Sequence, residues 1–216
     1  MPRASGVLAS VAAAALLATI GSPANADVYS NESTADSYLI GLSTGGAATL
    51  SGEVFTAPGG TLDSWTFSVA NGTDSPPGNV EFVIAPWTGD PTTNNQTFTI
   101  GAALYTSAPV TAGGVYGVFS DLTFSGIDLD LTEGTTYIAY LTINGVSSPA
   151  TLLGMRTSAT SGPIGDGWTE TNPDINYYYS DFQLTYTATF NIPEPSSIAL
   201  LATGLIGLGL LRRRHA

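Results

Sequence analysis

Carboxylates and hydroxyls are almost the only reactive side chains between residues 27 and 192. That region holds no His, Cys or Lys; the one His is His215, near the C-terminus, and the one base in the region is Arg156. Ser-His-Asp and Cys-His nucleophiles, Lys Schiff bases and His/Cys zinc sites therefore lack their parts. A P-loop and a dinucleotide fingerprint are absent too. Paired carboxylates can hydrolyse glycosides, so Glu32, Glu53, Glu81, Glu133 and Glu170 are the acids to place. None stands in a recognisable catalytic motif, and no Asp-Thr/Ser-Gly signature of an aspartic protease occurs. The expectation is a protein without catalytic residues, and glycoside hydrolysis is the third-ranked reading.

Hard oxygen ligands suit calcium. Asp128, Asp130 and Glu133 cluster in the sequence, as do Asp166, Glu170, Asn172 and Asp174. Neither set matches the twelve-residue EF-hand loop, and solvated carboxylates explain both. No metal ligand and no cofactor are assigned; a structural calcium stays open. Aromatic faces beside acids suit sugar rings. Trp87 lies next to Pro86 and near Asp90, Trp168 follows Asp166-Gly167, and Tyr177-Tyr178-Tyr179 comes soon after. The same rings would serve as core of a β-fold. Burial decides between the two: an exposed platform means carbohydrate binding.

The elements that must position these residues read as strands. Phe182, Leu184, Tyr186, Ala188 and Phe190 alternate with polar residues, as do Trp65, Phe67 and Val69, and Val80, Phe82 and Ile84. Ile127, Leu129 and Leu131 alternate with Asp128 and Asp130, while Tyr137 to Ile143 is apolar on both faces. Period two means half-buried strands. Pro58-Gly59-Gly60, Asn71-Gly72, Pro76-Pro77-Gly78, Gly113-Gly114, Asn144-Gly145 and Gly165-Asp166-Gly167 punctuate them. The expected fold is all-β: an antiparallel β-sandwich of jelly-roll type over residues 27–190. An N-terminal signal helix and a C-terminal transmembrane helix are expected to flank it.

The charge distribution separates this domain from both ends. Four of the five bases are Arg3, Arg212, Arg213 and Arg214. Residues 27–192 carry one base against sixteen acids, a formal charge of −15. Such a surface repels nucleic acid and anionic lipid. There are no cysteines to staple the fold. At the N-terminus, Arg3 precedes an apolar run from Val7 to Ile20; Gly21-Ser22-Pro23 ends it and Ala24-Asn25-Ala26 follows. This is the order of a signal peptide, residues 1–26, cut between Ala26 and Asp27. The run is too short to span a bilayer, which needs about 20 residues. It implies delivery to the Sec translocon.

The last segment, residues 191–216, has three parts. Pro193-Glu194-Pro195 is stiff and extended, because each proline fixes φ and restricts the residue before it. An apolar helix is expected over 196–211, and Arg212-Arg213-Arg214 closes the chain's apolar run. Eight Leu and Ile residues from Ile198 to Leu211 favour insertion by about 2–5 kcal/mol in total. Each arginine would cost about 2.5–3.5 kcal/mol at the bilayer centre. The three together act as a cytoplasmic lock on a marginal, transient membrane helix.

This tail resembles the PEP-CTERM sorting signal of Gram-negative bacteria in the order of its parts: the Pro-Glu-Pro triplet, the Ser-rich start, the Leu/Gly/Ala helix and the Arg cluster. The resemblance implies an exosortase-type processing enzyme as partner, with Pro193, Glu194 and Pro195 as its recognition element. It also implies a host that makes exopolysaccharide, with the mature protein at the cell surface, in floc or in biofilm matrix. The stretch Gly52 to Gly60 and the strand Leu62–Phe67 after it are similar to β-sandwich domains found ahead of such tails. The function expected is that of a non-enzymatic, secreted structural or matrix protein; the alternative is an extracellular carbohydrate-binding module.

Overall fold

The computed structural model describes residues 25–31, 37–44, 48–74, 76–90, 94, 96–158, 162–171, 176–181 and 183–193. The chain divides into two units. One is Asp27–Asn191; the other, Met1–Ala26 with Ile192–Ala216, lies almost wholly outside the described residues. The expected signal helix and sorting helix both fall there. Among the described residues there is no helix, and so none long and apolar enough to cross a membrane.

Strands appear where the sequence alternates. They are β1 (Asn25–Ser30), β2 (Ser37–Ser43), β3 (Leu50–Thr56), β4 (Thr61–Asn71), β5 (Gly78–Thr88), β6 (Thr99–Ile100), β7 (Tyr105–Thr106) and β8 (Val110–Ala112). They continue as β9 (Ser120–Asp130), β10 (Thr136–Thr142), β11 (Leu152–Ser158), β12 (Gly165–Thr171), β13 (Asn176–Tyr179), β14 (Gln183–Leu184) and β15 (Tyr186–Ile192). Two antiparallel sheets result. The first orders β1-β15-β4-β11-β14, with β2 on β11 and β9 on β4. The second orders β13-β12-β3-β10-β5-β6, with β7 and β8 also on β5. Residues 99–112 thus follow β5 as an interrupted edge of three short pieces.

Aromatic side chains fill the space between the sheets. Trp65 and Phe67 of β4 meet Phe55 of β3, Phe82 of β5 and Tyr186 of β15. The Phe55–Trp65, Trp65–Tyr186 and Phe67–Phe82 ring centroids lie 4.8, 5.1 and 6.2 Å apart. Phe124 of β9 stacks on Phe82 at 4.5 Å. Each fully buried ring of this kind contributes about 1.5–3 kcal/mol. A second apolar cluster lies on the opposite face of the second sheet: Leu50, Val54, Ala85, Trp87, Ile138 and Tyr178 are buried, with Phe98 and Ile100 packed over them. Register places Val54, Ile138 and Ala85 side by side, one residue out of phase with Phe55 and Tyr137. Sheet two is therefore covered on both faces. That explains why Tyr137 to Ile143 carries apolar residues on both faces.

The long run expected from Phe182 to Phe190 is broken. Thr185 leaves the ladder between β14 and β15, and its N–H donates to the Arg156 carbonyl at 2.8 Å. The last strand among the described residues then runs to Ile192 and meets Pro193, which has no N–H to continue the ladder. Strand β9 lies at a sheet edge and shifts register opposite Leu62/Ser64. Asp128 takes a left-handed φ of 51° at this irregularity. A bulge with exposed acids blunts an edge that would otherwise invite another strand.

Candidate functional site

The rings that could have formed a sugar platform are mostly interior. Trp87 and Trp168 are each 5 % exposed and Tyr178 is 1 % exposed. Alternation along β13 separates Tyr178 from its neighbours. Tyr178 packs on Trp87, centroids 4.9 Å apart, in the second apolar cluster. Tyr177 and Tyr179 face the other way and stay half-buried; Tyr179 stacks on Trp168 at 5.0 Å and on Tyr177 at 5.9 Å. The Trp168 indole N–H donates to Ser51 Oγ at 2.8 Å. Burial therefore favours the core reading of Trp87, Trp168 and Tyr178 over a single exposed platform: two-residue periodicity sends the rings to opposite faces.

The acids are scattered. Asp128, Asp130 and Glu133 are exposed, and Thr61 Oγ1 donates to Asp130 Oδ1 at 2.5 Å. Asp166 instead accepts from Thr56 Oγ1 at 2.7 Å, while Glu170 is half-buried across from Tyr177. Burial raises both carboxyls above their ordinary range. Asn172 and Asp174 lie outside the described residues. Among the described residues no three acids gather as a metal site.

One acid behaves differently from its sequence context. Glu53 sits in the middle of β3 with 0 % exposure. Its Oε2 accepts the Leu184 N–H at 2.8 Å, which links β3 of the second sheet to β14 of the first. Its Oε1 has no partner. Around it, Asn31 Nδ2 donates to the Leu184 carbonyl at 2.8 Å, and the Tyr186 N–H donates to Asn31 Oδ1 at 2.8 Å. Gln183 Nε2 donates to the Gly165 carbonyl at 2.7 Å. Desolvation pushes the Glu53 carboxyl well up, and Asp166 adds to this, against the Leu184 hydrogen bond. The same burial raises the Tyr178 and Tyr186 hydroxyls. This is a closed polar latch between the sheets. Sequence reading named Glu53 only as one of five glutamates, because its place in an alternating strand gives no sign that the polar face is inward.

Arg156 was not singled out as a site residue either. It lines an open groove of about 970 Å³ on the outer face of the first sheet, together with Ser68, Asp121 and the Tyr116–Ser120 loop. Its guanidinium lies 5.0 Å above the Phe119 ring centroid.

Of the targeting residues, Ala26, Asp27 and Pro193 are exposed at the ends of β1 and β15. Ala24, Glu194, Pro195 and Arg212 to Arg214 lie outside the described residues.

Residues 191–214 match the family model of the PEP-CTERM protein-sorting motif. The chain thus carries a PEP-CTERM sorting motif, which supports an exported, surface-directed protein and implies processing by an exosortase-type enzyme. The sequence matches no curated protein. Among solved structures, it is similar to the cysteine protease and lectin-like domains of Cwp84, a surface layer associated protein of Clostridium difficile. There the identity is 12 %, the TM-score 0.48, and the match covers 77 % of this chain and 36 % of that one. A second structure, the clostridial protease Cwp84 after propeptide cleavage, matches at 14 % identity and a TM-score of 0.48, over 77 % and 40 % of the two chains. The chain thus spans well under half the length of either.

Proposed function

We propose that the protein is a non-enzymatic structural or matrix component of the cell surface, released or retained there by its C-terminal tail. The sorting motif at residues 191–214 carries this reading, because it begins where β15 ends and leaves no room for a further domain between sandwich and tail. Association with biofilm or exopolysaccharide is the role that suits such an address. The lack of His, Cys and Lys between 27 and 192 supports a non-catalytic domain. So does Glu53, the most perturbed carboxyl, which is sealed away from any substrate. We read the sandwich as jelly-roll-like, since the chain changes sheet at each step from β3 to β5 and again from β8 to β12.

The test is the intact mass of surface protein compared with that of the membrane fraction. Wild-type surface protein should lack Arg212, Arg213 and Arg214. Glu194→Ala should accumulate uncut in the membrane. Surface protein that still carries Arg214 would make the tail a permanent anchor, and trimming of Glu194→Ala at the wild-type rate would reduce the triplet to a spacer.

Carbohydrate binding is the second reading. The buried indoles remove its original platform, but the groove at Arg156, rimmed by the exposed Tyr116 ring, favours it at a different place.

A further inference from the structure

We infer that the Arg156 groove is a binding site for a sugar that carries a carboxylate, such as a uronic acid unit of a polysaccharide; this rests on the second reading above and names its ligand. Arg156 is the single Lys or Arg among residues 27–192, against sixteen acids. Its position follows from register. Met155 pairs with Val69, and both are buried between the sheets. Arg156, next along β11, points to the outer face, as does Ser68, next to Val69 on β4. Ser68 in turn pairs with Asp121 on β9. Positive, hydroxyl and negative side chains thus line up across three strands, with about 10 Å between the outer two backbones.

Each member matches one feature of an acid sugar. A guanidinium carries five N–H donors in a planar fork that fits a carboxylate in bidentate fashion, so contacts inside the fold leave donors for a ligand. The Phe119 ring lies beneath it, 5.0 Å from the guanidinium carbon to the ring centroid. Asp121 and Ser68 offer acceptors and a donor for sugar hydroxyls. The loop above supplies an apolar face: Val115, Tyr116 and Val118 are 71, 58 and 54 % exposed, three large apolar side chains within four residues. An exposed tyrosine over a charged groove suits the C–H face of a sugar ring.

Charge narrows the ligand further. A densely charged polyanion is repelled by the domain's −15, but that repulsion fades over about 8 Å at physiological salt. The groove therefore favours a chain whose carboxylates are spaced apart, so that one of them meets Arg156 alone.

The test is a calorimetric titration of the exported protein with a uronic acid trisaccharide and with its methyl ester, which keeps the sugar and removes the charge. The acid should bind at least tenfold more tightly than the ester. Arg156→Gln should abolish that preference. Arg156 is half-buried, so Asp121→Asn serves as a second variant at an exposed position; it removes a negative charge from the groove and should raise the preference for acid over ester. Tyr116→Ala should weaken both ligands. Equal binding of acid and ester would overturn the charge assignment and leave carbohydrate binding standing. Binding of neither would overturn both. An acid preference that survives Arg156→Gln would place the site elsewhere.

Discussion

Replacing Glu53 by glutamine should make the protein's stability less dependent on pH. The carboxyl is fully buried, one oxygen accepts the Leu184 N–H, and the other is unpartnered. Burial raises its affinity for a proton well above the ordinary value of 4.5. The unfolded chain loses this proton near that ordinary value, while the folded chain keeps it. Above it, the unfolded state binds fewer protons, so stability falls as pH rises towards the folded value. Over the range in which the folded carboxyl keeps its proton and the unfolded one has lost it, the slope for one such group is about 1.4 kcal/mol per pH unit. Glutamine retains an oxygen for Leu184 and has no proton to lose. The variant should match the wild type at pH 4.5 to within about 1 kcal/mol, and exceed it increasingly from there upwards. No histidine lies between 27 and 192 to confuse the comparison. Urea unfolding followed by tryptophan fluorescence at pH 4.5, 5.5, 6.5 and 7.5 measures the difference. A constant offset at all four values would refute the reasoning, since it would mean that Glu53 loses its proton at the same pH folded and unfolded. Glu53→Leu separates the hydrogen bond from the charge: it should cost about 1–3 kcal/mol at pH 4.5 by stranding the Leu184 N–H.

Trp65→Ala should destabilise the fold by about 3–5 kcal/mol in the same urea assay, because the indole is fully buried against Phe55, Phe67 and Tyr186; a loss under 1 kcal/mol would mean that the sheets close without it. Gly52→Ala should lower the melting temperature sharply, since a methyl there would run into the Ala139 carbonyl and Tyr140 Cβ of the paired strand β10; an unchanged melting curve would show that the strands separate easily. N-terminal sequencing of the exported protein should begin at Asp27, and a mature chain beginning at Met1 would remove the signal peptide from the account. Calcium and sodium chloride at equal ionic strength should raise the melting temperature alike by screening the −15 domain; a rise specific to calcium would show a bound ion and refute simple screening.

What could be read in advance follows from which interactions leave a local signature. Leu184, Tyr186, Ala188 and Phe190 alternate with polar residues, and all four are buried, because period two is a property of the strand itself. The tail was legible for a similar reason: its parts act in linear order along the chain. Trp87 and Tyr178 were not. Their cover comes from the segment that holds Phe98 and Ile100, pinned where Asn94 Nδ2 donates to Asp181 at 3.0 Å and accepts the Ser180 N–H through Oδ1 at 2.6 Å. Residues more than eighty positions apart meet there, and no pattern within either stretch announces it. Glu53 was illegible in the opposite sense. Alternation alone assigns Ser51, Glu53 and Phe55 to one face, and the polar members would suggest solvent on that face; register and burial put all three inside.

The same long-range logic separates the two positions where this acidic chain keeps an unusual charge. Glu53 is an acid with no water, tied across the sheets by an amide 131 residues away. Holding it neutral favours closure of the sandwich, so its chemistry is spent on the fold and is invisible from outside. Arg156 is the opposite case: a base on the outer face of a central strand, half-buried, in a groove with an exposed ring above it. The one cation among residues 27–192, set in a concave surface beside an exposed ring, is where recognition of an anionic group at the cell surface has a physical reason to occur.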